Sequence, residues 1–347
     1  PLGIEYGCTP GSGGEVAFGL PGATTFGLHG NQTKEWRRFV KRKHRGTIPG
    51  SLAIVAIFFT LCSGPVSGQA SPGTDIWAFR MSANAAALDL NSLVRVTDRP
   101  GYDNQPHFPP GERLVLYTAI DSVGQADIWS YNLRSGDRKN VTQSDPESEY
   151  SATVTPSRAR FSAIRVEADS TQRLWTFESG GTNPELLLQS IQPVGYHAWL
   201  DEDRLALFVL GNPATLQIAS VSQDAGRVVA EDIGRSIFRI PGREAVSFVQ
   251  WEEPGVGWIT AFDPETGETS RIAPLLEGNE FYAWTPGGTL IMGQGSKLFR
   301  WTPGESENWQ EVADLTTAGI LAISRIAVSP EGGWIAIVGE DPVDEGG

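Results

Sequence analysis

Gln105-Pro-His-Phe-Pro-Pro-Gly-Glu-Arg-Leu-Val-Leu-Tyr-Thr-Ala, followed by Ala126-Asp-Ile-Trp-Ser-Tyr-Asn-Leu-Arg-Ser-Gly and Lys139-Asn-Val-Thr, is the clearest of six copies of one pattern between Asp75 and Glu340. A period of roughly 40 to 50 residues made of four short strands cannot bury its own apolar faces, so such copies pack radially as propeller blades. The turn between the first two strands recurs as Pro109-Pro-Gly, Thr155-Pro-Ser, Leu200-Asp-Glu, Ile240-Pro-Gly, Thr285-Pro-Gly and Ser329-Pro-Glu. Proline presets φ for a turn and glycine supplies φ > 0, so these dipeptides mark turns by mechanism.

After each turn comes an apolar or β-branched run of strand length: Leu114 to Ala119, Ala159 to Val166, Leu205 to Leu210, Ala245 to Trp251, Thr289 to Met292 and Trp334 to Val338. Unbroken apolar runs suit strands covered on both faces. Third strands follow in the first five copies, at Asp127-Ile-Trp, Arg173-Leu-Trp, Leu216-Gln-Ile, Gly257-Trp-Ile and Lys297-Leu-Phe. Trp77, Trp129, Trp175, Trp258 and Trp301 lie in or beside third strands and are expected to pack between blades. The sixth copy breaks off after its second strand, while Thr74-Asp-Ile-Trp-Ala-Phe and Leu93-Val-Arg-Val-Thr stand as orphan third and fourth strands at the other end. The expectation is an all-β, six-bladed propeller closed by N-terminal strands that complete the last blade, which removes exposed sheet edges.

Upstream, residues 1–39 are rich in Gly and Thr without periodicity. Residues 40–70 carry Lys41-Arg-Lys-His-Arg, the apolar run Leu52 to Cys62 and a small-residue exit at Gly68-Gln-Ala70, the order of a secretory signal peptide. The division is therefore 1–39 upstream, with Val40 as a candidate initiator, 40–70 leader, and 71–347 propeller. Cys8 and Cys62, the only cysteines, both precede the cut, so the propeller carries no thiol, as suits an oxidising compartment. Of 27 basic and 41 acidic residues, 7 and 3 lie before it, which leaves 20 basic against 38 acidic. Such an acidic surface disfavours nucleic acid and anionic membranes. The expected location is the periplasm or the outside of the cell, as a monomer with no stable membrane span after cleavage. Asn140-Val-Thr is read as a strand-end turn.

Phe108-Pro-Pro-Gly-Glu-Arg-Leu-Val-Leu-Tyr-Thr with Asp127-Ile-Trp and Asn140-Val-Thr resembles the WD40-like repeat of TolB-type propellers, as do Trp284-Thr-Pro-Gly-Gly-Thr-Leu and Val328-Ser-Pro-Glu-Gly-Gly-Trp-Ile-Ala. The resemblance covers Asp75 to Glu340, the propeller alone, without the α/β domain that precedes it in TolB. It implies a ring whose face and central channel bind envelope proteins; similar blades occur in the non-catalytic propellers of prolyl-oligopeptidase-type enzymes.

A serine hydrolase would need Gly-x-Ser-x-Gly on a strand-to-helix turn. Gly234-Arg-Ser-Ile-Phe lacks the closing glycine and falls where a first strand begins. No catalytic residue is assigned. After the cut only His107 and His197 remain, so a three-histidine zinc site is excluded there and no metal site is assigned. Both histidines fall on first strands two blades apart, where a channel wall is expected.

Loops leading into the innermost strands converge on the channel mouth. They carry Tyr102, Asp103, Asn104, Glu149, Tyr150, Tyr196, His197, Arg235 and Tyr282, with His107 close behind. Tyrosines with an arginine make an amphipathic, hydrogen-bonding rim of the kind that protein surfaces use. These ten residues are the candidate binding set, for a protein or peptide partner and without a cofactor. Two alternatives stand beside that non-enzymatic reading. One is a cation-dependent hydrolase, lactonase-like or carbohydrate-active, with calcium on Asp103, Asn104 and Glu149; the other is the propeller part of a prolyl-oligopeptidase-type peptidase.

Overall fold

A computed structural model describes residues 73–82 and 84–340. The expected upstream segment and leader lie outside the described residues. Two strands come first, β1 (Thr74–Met81) and β2 (Leu88–Arg95). The first blade is β3 (Asp103–His107), β4 (Leu114–Ile120), β5 (Ala126–Asn132) and β6 (Arg138–Asn140). The second is β7 (Ser148–Val154), β8 (Arg160–Val166), β9 (Gln172–Glu178) and the short β10 (Glu185–Leu186). The third is β11 (Val194–Trp199), β12 (Arg204–Val209), β13 (Thr215–Ser220) and β14 (Ala225–Glu231). The fourth is β15 (Ile233–Arg239), β16 (Val246–Glu253), β17 (Val256–Phe262) and β18 (Thr269–Pro274). The fifth is β19 (Tyr282–Trp284), β20 (Leu290–Gln294), β21 (Lys297–Trp301) and β22 (Gln310–Asp314).

The sixth blade is built from both ends of the described chain, in the order β2, β1, β24 (Trp334–Glu340) and β23 (Ile323–Val328). β1 runs antiparallel to β24 over its whole length, from Thr74 opposite Glu340 to Arg80 opposite Trp334. The expected closure is thus present, although β2 begins at Leu88, five residues before the stretch that the sequence suggested.

Six clusters of buried residues occupy the six blade interfaces, so the core is a ring of seams. Strand alternation explains how one strand serves two seams. Ile76 and Ala78 of β1 pack with Val115 and Tyr117 of the first blade, while Trp77 and Phe79 pack with Ile291 and Leu298 of the fifth. The third-strand tryptophans follow suit unevenly: Trp77 and Trp301 are buried, whereas Trp129, Trp175 and Trp258 are half-buried.

The Asp-Ile-Trp and Val-Thr pieces of the repeat have a shared structural job. Asp75 accepts a hydrogen bond from the Thr97 hydroxyl at 2.8 Å, and that hydroxyl accepts the Ile76 N–H at 2.8 Å. Asp127, Thr142 and Ile128 repeat the arrangement at 2.9 and 3.0 Å, tying third strand to fourth. Asn140 accordingly closes β6 as a strand-end residue. Among the described residues no helix is long and apolar enough to cross a membrane.

Candidate functional site

The innermost strands β3, β7, β11, β15, β19 and β23 enclose a central cavity of about 400 Å³. Their register is set by the turn that ends each one. Five positions before the turn residues Pro109, Pro156, Asp201, Pro241, Pro286 and Pro330 stand Asn104, Ser151, Tyr196, Ser236, Phe281 and Arg325, one per blade. All but Asn104 line the cavity. One position further on stand Gln105, Ala152, His197, Ile237, Tyr282 and Ile326, which line it too.

This register corrects the proposed ring of four tyrosines. Tyr196 belongs to the cavity station, but Tyr282 is one residue out of phase and shares the place of His197. Tyr282 is 1% exposed, and its hydroxyl donates to Ser247 Oγ at 2.9 Å, beside the Trp284 indole N–H, which donates to the same oxygen at 2.8 Å. His197 and Trp199 meet Ser162 in the same way, at 2.6 and 2.9 Å. Both clusters fasten an innermost strand to the second strand of the preceding blade.

Tyr196, Arg235, Phe281 and Arg325 line the cavity, and Tyr102 and Tyr150 stand near them at the entry end of β3 and β7. Tyr102 is half-buried; burial pushes its phenol up, Arg325 and Arg235 pull it down, and Tyr196 and Tyr150 push it up, so these four are its electrostatic neighbours. Arg325 donates from Nη2 to the Tyr196 hydroxyl at 3.2 Å and lies over the Phe281 ring at 3.9 Å and the Tyr196 ring at 5.2 Å. Arg235 lies over the same Phe281 ring at 5.0 Å. Arg235 is paired: Glu280 Oε1 accepts its Nε–H at 2.6 Å, and Oε2 accepts its backbone N–H at 2.7 Å. Gly234 makes room for that clamp, since a Cβ there would fall 2.5 Å from Glu280 Oε2 and 2.8 Å from Val249 Cβ.

Of the remaining candidates, His107 and His197 line the cavity while bonding into the blades, and Asp103, Asn104 and Glu149 do not line it. Glu149 is fully buried and accepts from Arg165 Nε at 2.7 Å; burial still pushes its carboxyl up. Asn104 accepts the Gln105 N–H at 2.7 Å. His107 Nε2 accepts the Val154 N–H at 3.2 Å, and burial pushes its imidazole down to about 4. Burial, with His107 nearby, pushes His197 down to about 3. Both imidazoles are therefore neutral and engaged in blade-to-blade contacts. Among the described residues no three His, Cys, Asp or Glu side chains converge to hold a metal ion, and Asp103, Asn104 and Glu149 face separate partners.

Asp103 is fully buried, with one oxygen 2.6 Å from Arg99 Nη2 and the other without a partner. Burial pushes its carboxyl up to about 6, against the pull of Arg99. A folded value above the unfolded one means that protonation favours the folded state: the stabilisation is present below about pH 4 and is lost as pH rises through about 6. Asp103→Asn, a neutral isostere, is expected to be about 1 to 3 kcal/mol more stable than the parent near pH 7.5, with no advantage near pH 4. Denaturant unfolding at both pH values checks this; a variant no more stable than the parent at the higher pH would contradict it.

Phe281 and Arg325 were missed by sequence reasoning, yet a signal for them existed. Counting back from the turn residue finds both, whereas searching for a repeated residue type finds tyrosines in different phases.

No protein-family model and no curated protein sequence matches the chain. Solved structures match its fold at low identity. A structure from Agrobacterium tumefaciens described as a TolB is 14% identical with a TM-score of 0.61, over 79% of this chain and 100% of that one. A chain of a nidogen/laminin complex is 11% identical with a TM-score of 0.57, over 73% and 97%. TolB from Acinetobacter baumannii is 9% identical with a TM-score of 0.52, over 77% of this chain and 64% of that one. In fold, the chain is a TolB-like six-bladed β-propeller.

Proposed function

We propose that this propeller is an exported, non-enzymatic binding module that receives a protein or peptide segment at the mouth of its central channel. The observation that carries the reading is the composition of that channel: Tyr196 and Phe281 beside Arg235 and Arg325 line a cavity of about 400 Å³, and the Tyr102 phenol is an electrostatic neighbour of both arginines. Tyrosine and arginine in a partly desolvated concavity are the residues that dominate binding energy at protein interfaces. The polar groups that catalysis would call on are committed elsewhere, with His107 and His197 neutral and Asp103 and Glu149 facing arginines. A chain of the nidogen/laminin complex, itself an assembly of two proteins, shares the fold at 11% identity. Export rests on the leader pattern at Lys41–Ala70 and on the absence of cysteine after it.

A photo-crosslinking residue in place of Tyr102, at the start of an innermost strand, is expected to capture the partner in the native envelope. The same residue in place of Arg158, in the β7–β8 turn at the far end, is not. The partner, once purified, should bind about tenfold or more weakly to Tyr196→Ala. Equal capture from both ends of the channel, or unchanged affinity in that variant, would place the interface elsewhere.

A further inference from the structure

The arginine at the sixth-blade station has no counter-charge. Among the described residues Arg325 forms no ion pair, whereas Arg99, Arg165 and Arg235 each hold a carboxylate within 2.7 Å. Its guanidinium carries five N–H donors. Only Nη2 has an acceptor, the Tyr196 hydroxyl; Nε is buried without a partner, and Nη1 has none among the described residues. Stacking on Phe281 and Tyr196 holds the group in place through its faces and leaves its edge to hydrogen bonding. Ser151 Oγ and His197 Nδ1, on two other walls of the cavity, are likewise buried and without partners.

Charge decides what fits. Arg235 and Arg325 against Glu280 leave one net positive charge at the mouth of a chain whose formal net charge is −14. One negative charge balances it. A dianionic phosphate would leave an excess beside Glu280, and the aromatic rings on both sides of Arg325 favour an organic ligand.

On the channel-mouth reading above, we propose that Arg325 is the anchor of a carboxylate-binding subsite, which takes the C-terminal carboxylate or an Asp or Glu side chain of the inserted peptide. Tyr196 and Phe281 orient the guanidinium, and Glu280 holds Arg235 in reserve. An arginine edge receives a carboxylate through two parallel hydrogen bonds, which gives direction as well as attraction.

The test uses random octapeptide libraries panned on the whole protein in three forms: with a free C-terminus, amidated, and amidated without Asp or Glu. Enrichment is expected in the first and not in the third, and the second decides the source of the carboxylate. Loss of the amidated arm would identify the chain terminus as the source, and equal enrichment of the first two would identify the side chain. Selected peptides should bind about tenfold or more weakly to Arg325→Gln, with Arg325→Lys in between. Glu280→Gln, which frees Arg235, should bind them several-fold more tightly, an outcome that misfolding cannot imitate. Binders that need no carboxylate, or that keep their affinity for Arg325→Gln, would overturn the subsite and leave the channel reading intact. A screen without binders in any arm would overturn both.

Discussion

A variant lacking residues 73–96 is expected to lose cooperative folding and to aggregate. Those residues carry β1 and β2, and β1 fills the seams on both sides of its blade with Ile76, Trp77, Ala78 and Phe79, each no more than 4% exposed. Burying a large apolar side chain contributes about 1.5 to 3 kcal/mol. Removing Ile76, Trp77 and Phe79 and uncovering their partners therefore costs on the order of 10 kcal/mol, which is comparable with the whole stability of a typical domain. The deletion also exposes the edge of β24, an apolar strand that β1 covers from Trp334 to Glu340. Unpaired apolar edges template association between chains. Thermal unfolding followed by circular dichroism, with sizing of the soluble fraction, checks both parts. A monomer with a sharp transition would mean that five and a half blades can hold the ring, contrary to what β1 contributes here.

The fold could be read from the sequence because a blade is specified locally. Pro109, Pro156, Pro241, Pro286 and Pro330 punctuate it at one place, and the Asp75–Thr97 and Asp127–Thr142 bonds explain why the Asp-Ile-Trp and Val-Thr pieces recur. The site was harder, because its decisive relations cross blades. Arg235 and Glu280 are 45 residues apart, in neighbouring blades, so nothing near Arg235 in sequence revealed that it was paired. Arg325 lies 129 residues from the Tyr196 hydroxyl that it meets. Irregular backbone added a second difficulty. Gln105 and Ser151 adopt φ of +56° and +55° within β3 and β7, so the residues just upstream of them cannot be aligned by strand alternation with those of β11 and β19. Tyr102 and Tyr150 stand ahead of that break, Tyr196 at the regular station, and Tyr282 one residue past it, with its hydroxyl spent on Ser247.

The phase of Tyr282 leads to the second large effect. Ser247 is fully buried, and its oxygen is the acceptor for both Tyr282 Oη and Trp284 Nε1. Ser247→Ala strands two buried donors, at about 1 to 3 kcal/mol each, so it is expected to destabilise the protein by roughly 2 to 5 kcal/mol. Tyr282→Phe alone removes one donor and leaves Ser247 satisfied by Trp284, at a cost of about 1 kcal/mol. Combined, the two changes strand only the indole, so the double variant should be at least as stable as Ser247→Ala. That is a coupling opposite to additivity, and denaturant unfolding of all four proteins measures it. Strictly additive losses would mean that the tyrosine hydroxyl does not depend on Ser247. The same variants separate scaffold from site. Tyr282→Phe should leave binding at the channel mouth unchanged, because its hydroxyl is spent on the seam between the fourth and fifth blades. Tyr196→Phe, which takes from Arg325 its only acceptor among the described residues, should alter it.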